Sequence, residues 1–361
     1  MIPVYQPYLK GREKEYVNQC LDSTWISSKG EFIERFERNF ADFIGAKYAT
    51  SVCNGTVAIH LALEALGIGP GDEVIVPTLT YIASVNAIIQ AGATPVFVDS
   101  LEDTWQIDPE DVRRKITQKT KAVMVVHLYG LPCDMDAITQ ICNTYDLLLI
   151  EDCAEAFGSF FKGKHVGTFG DVSTFSFFGN KTITTGEGGM VVAREQAVIE
   201  KAFHLKNQGV SQTREYWHDV LAYNYRMTNI CAAIGLAQLE QAETILSRKR
   251  RIADNYKNGL VGLPLKTHDE QPDTVHSFWM CSLLVDDASL RQPLRDHLKR
   301  LEIETRPLFY PAHTLPHCAT NQHFPIAESL SARGINLPSW PGMDENKVGE
   351  VIKAIRSFWG K

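Results

Sequence analysis

Ala122-Val-Met-Val-Val-His-Leu-Tyr-Gly-Leu-Pro-Cys-Asp-Met-Asp-Ala-Ile-Thr-Gln-Ile-Cys-Asn-Thr-Tyr-Asp-Leu-Leu-Leu-Ile-Glu-Asp152 contains two apolar runs, 122–126 and 147–150, around a segment of helical character at 135–145. Neither run alternates apolar with polar residues. A strand wetted on one face alternates, whereas a continuously apolar strand is buried on both. Two such strands joined by a helix make a βαβ unit, which places them parallel in one sheet.

The same rhythm extends outward. Strands are expected at 48–53, 73–76 and 95–98, and helices at 57–66, 82–90 and 109–117. The last helix opens with Asp108 as N-cap and Pro109 just inside. Downstream, 172–177 and 190–193 read as strands, and 230–242 and 245–259 as helices. The polar, turn-rich stretch 268–273 suggests a boundary, followed by a strand at 278–285 and a helix at 290–301. The expectation is an α/β protein whose large domain (1–265) holds a mostly parallel sheet, with a small α+β domain at 266–361.

Composition narrows the function. A net charge of −7 over 361 residues argues against a chain built to grip nucleic acid. The densest basic cluster, Ser247-Arg-Lys-Arg-Arg251, reads as a solvated helix face. No apolar run approaches the roughly 18 residues of a membrane span, and Met1-Ile-Pro-Val-Tyr-Gln-Pro7 does not resemble a signal peptide. The eight cysteines form no C-x-x-C pair, which suits reduced thiols in a cytoplasmic enzyme and no metal site.

In open α/β folds, ligands bind beyond the carboxyl ends of the strands. Four segments lie there. Glu151-Asp-Cys-Ala-Glu155 follows a buried strand, where a carboxylate needs a cation or a donor; taken alone, a helix N-cap by Asp152 is the simpler reading. Lys181 lies between Ser173-Thr-Phe-Ser-Phe-Phe177 and the glycine-rich Gly186-Glu-Gly-Gly189. An apolar, glycine-rich setting favours a desolvated and hence nucleophilic amine over an ordinary loop lysine. Asn54-Gly-Thr56 precedes a helix, as a phosphate site does, although many strand–turn–helix junctions look alike. Tyr223-Asn-Tyr-Arg-Met-Thr-Asn229 reads either as a helix start capped by Thr228 or Asn229 or as a polar loop entering a site.

Together with Thr24-Trp-Ile-Ser-Ser28, Asp72-Glu-Val-Ile-Val-Pro77, Gly92-Ala-Thr-Pro-Val-Phe-Val-Asp99, Ala232-Ala-Ile-Gly-Leu-Ala-Gln-Leu-Glu240 and Thr305-Arg-Pro307, these segments resemble the DegT/DnrJ/EryC1/StrS sugar-nucleotide aminotransferases. The resemblance implies an aspartate-aminotransferase-like (type I) fold and pyridoxal 5′-phosphate as cofactor, with pyridoxamine phosphate between half-reactions. It implies that Lys181 carries the cofactor and moves the proton, that Asp152 pairs with the ring nitrogen and that Tyr81 covers the ring. Gly55, Thr56 and Ser176 would hold the phosphate, with Asn224 reaching it from the second subunit of a homodimer with a shared active site. Glu155 would lie near the ring hydroxyl, where the family commonly has glutamine or histidine. Ser28, Lys29, Gly30, Arg226, Arg306, Tyr310 and His313 are candidates for contact with the substrate.

Within the family the chain looks closest to the branch that aminates GDP-4-keto-6-deoxy-D-mannose with L-glutamate. Pro77-Thr-Leu-Thr-Tyr-Ile-Ala-Ser-Val-Asn86 and Tyr216-Trp-His-Asp219 support this. The implied product, GDP-perosamine, would serve O-antigen or other polysaccharide synthesis. The rivals are a UDP- or dTDP-linked acceptor, a sugar dehydratase, which Lys181 disfavours because the related dehydratases carry histidine there, and a silent cofactor-binding regulator.

Overall fold

The computed structural model describes residues 1–360. A seven-stranded sheet is formed by β1 (Tyr48–Val52), β2 (Glu73–Pro77), β3 (Thr94–Val98), β4 (Thr120–Val126), β5 (Leu148–Asp152), β6 (Val172–Ser176) and β7 (Gly189–Ala193). Their order is β1-β7-β6-β5-β4-β2-β3. The pairings from β3 across to β6 are parallel. β7 lies antiparallel between β1 and β6. The cause is local: residues 177–188 contain no helix to carry the chain back to the starting end of the sheet, and a parallel return needs such a crossover. The turn that reverses the chain is the Lys181 loop.

Helix bounds follow the sequence reading closely. The Met135–Tyr145 helix matches the expected span, and the Pro109–Lys115 helix starts as expected, with Asp108 accepting from the Glu110 N–H at 2.9 Å. The Glu31–Ile44 helix buries Phe32, Phe36, Phe40 and Ile44, spaced four apart on one face. Phe36 meets Phe177 at 5.2 Å and Phe40 meets Phe175 at 4.9 Å between ring centroids, which fixes β6 and the start of the Lys181 loop from behind.

A second, antiparallel sheet contains β8 (Leu265–Thr267), β9 (Cys281–Val285), β10 (Arg306–Pro307) and β11 (Gly334–Leu337), ordered β8-β9-β11-β10. Its core also draws in Ile2, Ile252 and Tyr256. The strand expected from Phe278 begins only at Cys281, because Phe278 adopts a left-handed φ of 50°. The expected helix at 290–301 becomes a short 3-10 turn followed by Arg291–Arg300. The basic cluster at 247–251 is not wholly a solvated face. Lys249 is fully buried, and its ammonium donates to the carbonyls of Trp279, at 2.8 Å, and Ser339. Among the described residues, no helix is long and apolar enough to cross a membrane.

Candidate active site

The end of β5 sorts two adjacent carboxylates onto opposite faces, as a pleated strand must. Glu151 turns away from the Lys181 loop and is fully buried. It accepts the backbone N–H groups of Gly167 at 2.7 Å, Phe169 at 2.8 Å and Gly170 at 2.6 Å, and lies 3.1 Å from His127 Nε2. His127 Nδ1 accepts the Cys133 N–H at 3.1 Å, so the proton sits on Nε2 and is given to Glu151. Four donors occupy this carboxylate, leaving it no role as a metal ligand although Cys153 is close.

Asp152 takes the opposite face. Its Oδ2 accepts from Ser84 Oγ at 2.7 Å and its Oδ1 from the Ala154 N–H at 3.0 Å. Burial pushes its pKa up, while those two donors and the nearby Lys181 pull it down. A buried carboxylate held this way is suited to a cationic partner.

Lys181 enters the same space from the β6–β7 loop. Its side chain is 12% exposed, and Nζ lies 3.9 Å from Glu155 Oε1. The Lys181 carbonyl accepts from Tyr5 Oη at 2.5 Å, which ties the loop to the N-terminal segment. Burial pushes the lysine pKa down, opposed by Glu155 and Asp152. Glu155 is buried, accepts the Tyr129 N–H at 2.8 Å and has its pKa raised to about 7 by burial. A carboxyl group held this way exchanges a proton near neutrality.

A close-packed turn forms where the chain leaves β1. Asn54, rather than Gly55 or Thr56, caps the Gly55–Leu66 helix, accepting the Val57 N–H at 3.0 Å. The Gly55 and Thr56 N–H groups stay available at the positive end of the helix. A Cβ on Gly55 would stand 2.7 Å from Ser176 Cβ and 2.9 Å from its Oγ. Only glycine lets the helix start and Ser176 close on one small volume, which fits a phosphate. Tyr81 is 55% exposed, with its ring 5.5 Å from that of Phe309.

Other expected residues lie elsewhere. Asn224 Oδ1 accepts from Arg226 Nε at 2.9 Å. Arg226 joins Ser28, Lys29 and Gly30 in lining a cavity of about 730 Å3 whose wall includes the buried Lys206–Glu37 pair and none of Lys181, Asp152 or Ser176. Thr228, not Asn229, caps the following helix, accepting the Cys231 N–H at 3.3 Å. Arg306 is exposed and pairs with Glu304 at 3.4 Å. Tyr310 is exposed.

His313 departs from expectation. It is buried, with Nδ1 2.8 Å from Thr78 Oγ1 and Nε2 3.2 Å from Glu328 Oε1. Both ring nitrogens are engaged within the fold, so it braces the 311–315 turn and offers no free nitrogen to a sugar. Sequence reasoning missed Trp279, Tyr129 and Ser84 as members of the site. Ser84 lay inside a segment already singled out; Trp279 and Tyr129 carried no local signal.

Residues 7–356 match the DegT/DnrJ/EryC1/StrS aminotransferase family. A relative from Escherichia coli O157:H7, named GDP-perosamine synthase, is 60% identical over 99% of this chain and 98% of its own length. One of the same name from Vibrio cholerae is 55% identical, covering 99% of both chains. The crystal structure of the aminotransferase TlmJ from Streptoalloteichus hindustanus superposes with a TM-score of 0.95 at 30% identity, covering 99% of both chains. By sequence over nearly its whole length and by its fold, the chain belongs to the DegT/DnrJ/EryC1/StrS aminotransferase family.

Proposed function

We propose that the protein transfers the amino group of L-glutamate to C4 of GDP-4-keto-6-deoxy-D-mannose, giving GDP-perosamine and 2-oxoglutarate, with pyridoxal phosphate held at Lys181. The observation that carries this reading is the convergence of Lys181, Asp152 and Glu155 beside the Gly55–Ser176 cradle, in a chain 60% identical to a GDP-perosamine synthase.

Bound pyridoxal phosphate supplies an electron sink for bonds at the carbon that bears the nitrogen. The chain's residues do the rest. Gly55, Thr56 and Ser176 would hold the phosphate. Asp152, fixed by Ser84 and the Ala154 N–H, would hold a proton on the ring nitrogen through its negative charge. The Lys181 amine, once free, takes a proton from the donor carbon and returns it on the other side of the reaction, acting as base and then acid. Burial lowers its proton affinity, opposed by the charges of Glu155 and Asp152, which eases its turn as a base. Glu155, near its own midpoint, buffers the amine beside it.

The same reading makes the active unit a homodimer. Asn224 is engaged with Arg226, which lines the 730 Å3 cavity, a cavity whose wall does not include Lys181. The 207–224 loop also exposes Tyr216 and Leu221 almost completely, a surface suited to a second copy of the chain. The eight free thiols suit a reducing, cytoplasmic setting. O-antigen or other polysaccharide assembly would consume the product.

The test is product formation from GDP-, UDP- and dTDP-linked 4-keto-6-deoxy sugars with glutamate. Turnover of a UDP or dTDP sugar in preference to the GDP sugar refutes the acceptor, and no amine transfer to any of them refutes the reaction. In a companion test, borohydride reduction should fix the cofactor on the Lys181 peptide. Lys181→Ala should retain no covalent label and should lose about two to four orders of magnitude of activity, the scale of losing general acid–base catalysis.

A further inference from the structure

Lys181 Nζ does not rest only against carboxylates. It lies 4.1 Å from the centroid of the Trp279 ring, over its face. That ring is fixed on three sides. Its Nε1–H donates to the Asn180 carbonyl, next to Lys181 in the chain, at 2.7 Å. Its backbone carbonyl accepts from the buried Lys249 ammonium at 2.8 Å. Its face stacks on Tyr129 at 6.1 Å and 7°. Among the described residues Lys249 has no carboxylate partner, and its ammonium donates to the carbonyls of Trp279 and Ser339. Burying an ammonium this way is expensive, and here it anchors the residue that meets the reactive amine.

We propose that Trp279 is a positioning residue for Lys181, its indole face and the Glu155 carboxylate together forming the seat on which the amine rests whenever it is not linked to the cofactor. The proposal rests on the reading of Lys181 as the cofactor-bearing lysine. A desolvated amine released into an open site would swing toward water. Here an aromatic face attracts the ammonium without taking a proton from it, while Glu155 at 3.9 Å supplies charge from the other side. The ionisable groups acting on the amine are Glu155, from the turn after β5, and Asp152, at the end of β5. Tyr5 engages the Lys181 carbonyl and Tyr129 engages the backbone of Phe309.

The test uses the full chain freed of cofactor. Reductive methylation with formaldehyde and cyanoborohydride is run across a pH series and read at the Lys181 peptide by mass spectrometry, with exposed Lys353 as internal reference. The midpoint reports how tightly the amine holds its proton. Trp279→Leu should lower the Lys181 midpoint by roughly one pH unit, and Trp279→Phe by a smaller step, because phenylalanine attracts cations less strongly than tryptophan. An unchanged or raised midpoint in folded Trp279→Leu overturns the proposal and leaves Trp279 a packing residue. If the leucine variant does not fold, the phenylalanine variant decides alone, and no downward shift in it overturns the proposal. Borohydride trapping separates this from the functional reading. Label on another lysine would refute Lys181 as cofactor carrier, while the methylation midpoint would still report its contact with Trp279.

Discussion

Glu155→Gln isolates the energetic consequence of a buried carboxyl group at the site. The amide keeps the shape of the side chain and an oxygen for the Tyr129 N–H. What it removes is a charge. Burial raises the Glu155 pKa from the ordinary 4.5 to about 7. Between those values the folded chain holds a proton that the unfolded chain has released. Stability therefore falls as pH rises from 4.5 through about 7, and the loss persists above that. A shift of this size corresponds to roughly 3 kcal/mol at most, at about 1.4 kcal/mol per unit.

The glutamine variant lacks this loss. In addition, Lys181 without its partner gives up its proton more readily, which acts in the same direction. The assay is urea unfolding of the cofactor-free protein at fixed protomer concentration, at pH 5, 6, 7 and 8. The stability of the variant minus that of the wild type should grow by about 2–3 kcal/mol over this range. Other titrating groups cancel in the difference. A difference that stays flat with pH would show that Glu155 ionises normally and would remove the account of how a carboxylate is tolerated at this position.

Gly55→Ala sets a methyl group 2.7 Å from Ser176 Cβ, in the cradle itself. Pyridoxal phosphate affinity, followed by fluorescence titration, should fall about tenfold or more, the scale of losing one good hydrogen bond to a charged group; unchanged affinity would place the phosphate elsewhere. Glu151→Gln, one residue from Asp152, should act on stability: its amide nitrogen faces either the Gly167 N–H and His127 Nε2–H or the Phe169 and Gly170 N–H groups. Two buried donors are left unpaired, so urea unfolding should show a loss of about 3–5 kcal/mol; a loss below about 1 kcal/mol would contradict the four-donor arrangement.

The sequence by itself determined the layered α/β architecture. Unbroken apolar runs such as 122–126 and 147–150 read as strands buried on both faces, and the helix from Pro109 announces itself through its Asp108 cap. It also picked out Lys181, Asp152 and the Asn54–Thr56 turn, because each sits at a strand end, where local pattern and position coincide. Tertiary structure alone decided what Asp152's neighbour Glu151 does, since the three N–H groups and the imidazole that hold it come from what packs on the other face of β5. It reversed β7, because the Lys181 loop has no crossover helix. It buried His313 between Thr78 and Glu328, and Lys249 between two carbonyls, contacts that no local pattern encodes. Trp279, about a hundred residues along the chain and just ahead of β9, meets the lysine only because it packs into the core of the large sheet. Periodicity is a local property, whereas a site is assembled from residues far apart in sequence.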